Sequence, residues 1–128
     1  MVSAVEQIRE MLAADLHGRF IHLQRNEDDG HLEYARPSDE NKRDTLGFVK
    51  DGRILVEPTA WRNVLCAGFD PEKTARHLRH EGLLIADEGK LQKQERVLRG
   101  GGPTKGRFYV LNMRILEDSA GTGPREVS

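Results

Sequence analysis

The sequence has a single cysteine, Cys66. That excludes a disulfide framework and a cysteine-rich zinc site, and it fits a reducing compartment. No apolar run approaches the length of a membrane span, and no signal-peptide pattern opens the chain. The default expectation is a cytoplasmic protein, or an excised piece of one. A strong excess of either charge is also missing: the formal net charge is −1. The whole chain is therefore no polycation, and any nucleic-acid role must come from charge placed asymmetrically. What is present is a lean core under a charged surface, with 37% hydrophobic and 32% charged residues among 128. That length suits one domain.

The most sharply bounded stretch runs from Asp70 to Leu84. Asp70 is placed to cap a helix and Pro71 to occupy its first turn. Gly82 stands where a left-handed residue ends one. Ala75 and Leu78 give a narrow buried edge. Around it lie Lys73, Arg76, His77, Arg79 and His80, with no carboxylate between Lys73 and His80. A short cationic helix on a small apolar edge has the make-up of a recognition helix.

The other elements are expected in order around it. Ser3 and Glu6 form a capping box ahead of Val5, Ile8, Leu12 and Leu16 at helical spacing. Phe20–Leu23 reads as a strand. Asn26–Arg43 reads as an acidic, mobile connection around one brief strand near Leu32 and Tyr34. Asp51-Gly52, between LGFVK and RILV, signals a hairpin. Trp61, Val64 and Leu65 line one face of a helix over residues 58–66, and Ala67-Gly68-Phe69 turns it into the Asp70 cap. Two short helices so joined make a helix-turn-helix.

Leu91–Leu98 then reads as a partly exposed strand and Arg107–Asn112 as a strong one. Between them Arg99–Gly106 is expected to be irregular, because it holds three consecutive glycines and a proline. Helix-turn-helix, strand, basic loop, strand is the order of a winged helix. The expected fold is thus α+β: a winged helix-turn-helix with an N-terminal helix and a small antiparallel sheet. It would span residues 1–116 as one domain, with its core at 44–113 and a disordered tail at 117–128.

Charge is uneven along this plan. Residues 70–112 carry nine Lys and Arg against six Asp and Glu. The candidate DNA contacts are Lys73, Arg76, His77, Arg79 and His80 on the helix. Lys90, Lys93, Arg96, Arg99, Lys105 and Arg107 are the candidates around the wing. Arg76 or Arg79 could read guanine, whereas no Asn or Gln sits mid-helix to read adenine.

Other features have plainer readings. GGGPTKG lacks phosphate-loop spacing, since Lys105 precedes Gly106. His77 and His80 are three apart, but no cluster completes a metal shell. Cys66 and Trp61 lie on an apolar helix face and read as core. Asp28-Asp29 and Asp39-Glu40 read as surface charge. No catalytic, cofactor or metal constellation is expected.

Taken together, these motifs resemble the C-terminal domain of a family of plasmid, phage and integrative-element helicases and primase-helicases. The matching residues are Gly18-Arg19-Phe20, Gly47-Phe48, Trp61, Gly68-Phe69-Asp70-Pro71, Gly82-Leu83-Leu84 and Tyr109-Val110-Leu111. The resemblance covers roughly residues 18–112. It departs from the full-length family in having no Walker A motif and no ATPase core. It implies a non-catalytic accessory winged-helix domain that holds DNA, duplex or junction, during replication or transfer of a mobile element. A helicase, primase or relaxase would be the partner protein. The competing reading is a protein-docking module, with residues 27–40 and the hairpin 46–56 as its contact surface.

Overall fold

The computed structural model describes residues 2–99 and 102–117. Among these residues, three helices and a seven-stranded sheet make up a mixed α+β fold. Helix α1 (Ala4–Asp15) starts at the expected capping box: the Glu6 amide donates to Ser3 Oγ, and the Ser3 amide donates to Glu6 Oε1. Its buried residues Ile8 and Leu12 face the core, and Leu16 continues them. Strand β1 (Phe20–Arg25) pairs antiparallel with β2 (Leu32–Tyr34) and parallel with β3 (Gly47–Lys50). Strand β3 turns through Asp51 and Gly52, both with positive φ, into β4 (Arg53–Val56). Two successive left-handed residues are what a tight hairpin requires.

The first helix of the expected pair is a single turn, α2 (Pro58–Ala60), that widens into a π turn over Trp61–Leu65. Helix α3 (Pro71–His80) follows as expected, with Asp70 as its cap and Gly82 at φ +78°. Then come β5 (Leu84–Ile85), β6 (Lys93–Arg99) and β7 (Gly102–Asn112), and a 3₁₀ turn over Met113–Leu116. Strand order is β2-β1-β3-β4-β7-β5, while β6 pairs with β7 over Gly102–Phe108.

Three expectations are corrected. The sheet is neither small nor wholly antiparallel. Strand β1 carries Phe20 toward one side and Ile21 and Leu23 toward the other, all buried, so both of its faces are covered, and it pairs with β2 on one edge and β3 on the other. Arg99 and residues 102–106 do not form the irregular loop expected there. Arg99 pairs with Gly102, Leu98 with Pro103 and Arg96 with Lys105 in a continuous ladder. Proline is tolerated there because β4 pairs with β7 only from Tyr109 onward; Gly100 and Gly101 lie outside the described residues.

The acidic connection is not a loose tether either. It holds β2 and a 3₁₀ turn over Pro37–Asn41. Asp39 within it is fully buried, not surface charge. Its Oδ2 accepts from the His22 amide at 2.9 Å and from Arg36, and Lys42 lies 3.1 Å from Oδ1. Of the tail expected to be disordered, only Glu117 is among the described residues.

The sheet separates two apolar clusters. On its helical side Ile8, Leu12, Phe20, Trp61, Leu65, Ala75, Leu78, Tyr109 and Ile115 pack together, so packing extends well ahead of residue 44. On the other side the β6–β7 ribbon folds over Ile21, Leu23, Phe48, Leu55, Phe108 and Val110, and adds Val97. Phe48 and Phe108 meet edge to face there. Lys50 ties the ribbon down. Its ammonium is nearly buried and donates to Glu95 Oε1 and to the Arg96 carbonyl, both at 2.9 Å. A buried ammonium needs such partners, because leaving it unpaired costs several kcal/mol.

Candidate nucleic-acid interface

Asp70 Oδ1 accepts from the Glu72 amide at 2.9 Å and the Lys73 amide at 3.0 Å. The Lys73 amide foremost, then the Glu72 amide, holds its carboxyl below the usual range. The helix so anchored buries Thr74, Ala75 and Leu78. Its remaining side chains divide between two flanks.

On one flank Arg76 and Arg79 face strand β7 across a cleft of about 740 Å³. Lys90, Arg107 and Tyr109 line the opposite side. Arg107 points there because strand side chains alternate. Phe108 enters the second cluster, so Arg107 shares a side of β7 with Tyr109. The Asp87–Lys90 turn closes the cleft's end, held by Lys90 N–H to Asp87 O and by Arg79 Nη2 to Asp87 O, both at 3.0 Å. Among the described residues one carboxylate lines the cleft, Glu72, and Arg76 pairs with it at 3.0 Å. That pair is exposed on both sides and contributes little to stability, so an incoming anion can displace it at small cost.

Four of the eleven predicted contacts therefore converge: Arg76, Arg79, Lys90 and Arg107. The others do not line this cleft, although Arg99 and Lys105 line a smaller recess that Arg107 also borders, beside Glu57 and Phe108. Lys73 and His77 face a separate groove between α1 and α3, beside Glu6, Arg9 and Glu81. His80 is exposed. Lys93 lies 3.9 Å from Asp87. Arg96 lines a recess with Arg25 and His31, and its register partner Lys105 is exposed. Arg99 turns back onto the sheet. It donates to Glu57 Oε2 at 2.8 Å and lies 5.3 Å from the centre of the Phe48 ring.

Tyr109 is the cleft residue that sequence reasoning missed. Its two-residue spacing from Arg107 is the signal that would have found it. Its ring stacks on Trp61 at 4.8 Å between centroids, and Trp61 Nε1 donates to the Pro71 carbonyl at the start of α3. Cys66 is buried, which pushes its thiol up to about 11; a hydrogen bond with Thr74 opposes this shift. It is therefore a packed side chain in chemistry as well as position. Among the described residues no group of three or more His, Cys, Asp or Glu is placed to hold a metal. None of their helices is long and apolar enough to cross a membrane.

No family model, curated protein or solved structure matches the chain.

Proposed function

We propose that the chain is a non-catalytic DNA-binding module of winged-helix type, which grips nucleic-acid phosphates between α3 and β7. The observation that carries this reading is the cleft: two cations from a helix face two from a turn and strand, against one exposed carboxylate. Small-molecule sites are mostly apolar with a few polar groups. This one is open and cationic, which suits a polyanion. The fold reading draws on element order: α2 and α3 follow β4, and β4 and β5 pair with the same stretch of β7. The β6–β7 ribbon takes the wing's place in that order, though it lies folded over the sheet and is tied down by Lys50, and the additional strands β1–β3 extend the sheet beyond β4. Service to a mobile-element helicase, primase or relaxase rests on the family resemblance alone.

The docking alternative keeps one observation of its own. Arg76 and Arg99 are paired with Glu72 and Glu57, so two of the candidate cations already have carboxylate partners within the chain. Mobility-shift titrations on duplex, single-stranded and forked DNA at two salt concentrations separate the two. With the four cleft cations engaged, log K should fall with log salt with a slope of roughly 3 to 4. No retardation on any of the three DNAs at low salt would sink the DNA reading in favour of docking.

A further inference from the structure

Tyr109 does more in the cleft than fill space. It is 6% exposed, and no hydrogen bond from its hydroxyl is formed among the described residues. A buried phenol usually finds one. The hydroxyl is not sealed in, because the one sealed side-chain N or O atom without a hydrogen bond among the described residues is Asp39 Oδ1, which has Lys42 as its ion-pair neighbour. The opening that Tyr109 lines is the cationic cleft. Its ring is held by the stack on Trp61, which is itself tied to the start of α3. Tyr109 therefore lines the cleft together with Arg76, Arg79, Lys90 and Arg107, its ring fixed by the stack on Trp61.

We propose that the Tyr109 hydroxyl donates a hydrogen bond to a backbone phosphate oxygen of the DNA strand held between Arg79 and Arg107. The assignment rests on the nucleic-acid reading and narrows it to a phosphodiester contact that involves no charge on the protein side. Preorganisation favours the contact, since the ring has already lost its rotational freedom in the fold. Because the donor is neutral, it strengthens binding without releasing a counterion. Its energetic signature therefore differs from that of every cation in the cleft.

The test compares Tyr109→Phe with Arg107→Ala by fluorescence anisotropy on a labelled short duplex over a range of salt. Tyr109→Phe keeps the ring stack and should leave the thermal midpoint unchanged. It should weaken binding roughly tenfold or more, the usual worth of a hydrogen bond to a charged group, at an unaltered salt slope. Arg107→Ala should lower the slope by about 0.9. In the wild-type chain the Tyr109 Cζ resonance should shift as duplex is added. Wild-type affinity for the phenylalanine variant overturns the assignment. So does an unmoved Cζ resonance at saturation, which decides the matter if the variant folds poorly. If the wild-type chain itself binds no DNA, the nucleic-acid reading fails first, and that outcome is distinct from either of these.

Discussion

Asp39 holds a backbone amide, a guanidinium and an ammonium in a place with no solvent exposure. Burial alone would raise its carboxyl. The His22 amide, Lys42 and Arg36 outweigh that and leave it below the usual range. Replacing it by Asn removes the charge while two cations remain beside it. Asp39→Asn should therefore cost about 2–3 kcal/mol, read as a lower urea midpoint at unchanged slope. His22 shifts the pH response in the same direction. Burial, against a bond from its Nε2 to the Leu16 carbonyl, lowers its folded value. The unfolded chain then binds more protons than the folded one as pH drops through about 6.5, and again through the carboxylate range near 4. Stability should decline in those two windows on acidification, and His22→Gln should flatten the upper one in urea titrations at stepped pH. Nothing in the composition marked Asp39 out from Asp28 or Asp29. A buried acid in a polar stretch is recognised by its partners, and those come from Arg36, Lys42 and the separate strand β1.

Local signals served well where an element is specified by its own residues. The caps at Ser3 and Asp70, the Asp51-Gly52 turn and the left-handed Gly82 all act within a few positions. They failed where tertiary pairing overrode propensity. Three glycines and a proline argue for an irregular loop, yet the ladder from Arg99–Gly102 to Lys93–Phe108 holds the described part of that stretch, Arg99 and residues 102–106, in a ribbon. Its anchor is Lys50, whose position in a GFVK strand carries no sign of burial. Lys50→Met should leave Glu95 unpaired, loosen the ribbon and speed amide exchange across β6 while protection in α1 persists. Equal protection in both proteins would show that apolar packing alone holds β6. Gly47 is a stricter case. A Cβ there would meet the Leu55 carbonyl oxygen at 1.8 Å. Because backbone must move to admit it, Gly47→Ala should destabilise the β3–β4 pair by about 3 kcal/mol or prevent folding, as judged by circular dichroism and thermal melts.

At the scale of the whole molecule, a chain of near-zero net charge carries its cations as four in one cleft and others on separate surfaces. The cationic helix was legible in advance. Which of its two flanks would meet another cationic element was not, because β7 decides that and lies some thirty residues further on. The double variant Arg76→Ala/Arg79→Ala should therefore weaken duplex binding more than tenfold and lower the salt slope by about 1.8. Lys73→Ala, facing the other groove, should lower it little; equal losses in the two titrations would mean that the cleft is not the contact surface. The placement of β7 has another consequence. It supplies the strand between β4 and β5 and, through Phe108, Tyr109, Val110 and Leu111, part of both apolar clusters. Ile115 follows it, and its carbonyl accepts from Arg9 of the first helix at 2.7 Å. A ribosome that has released only the segment through β6 has thus delivered neither interior in finished form. The nascent chain must wait with its greasy surfaces uncovered, so holdase chaperones have their clearest opportunity during synthesis, before the eleven residues of β7 emerge.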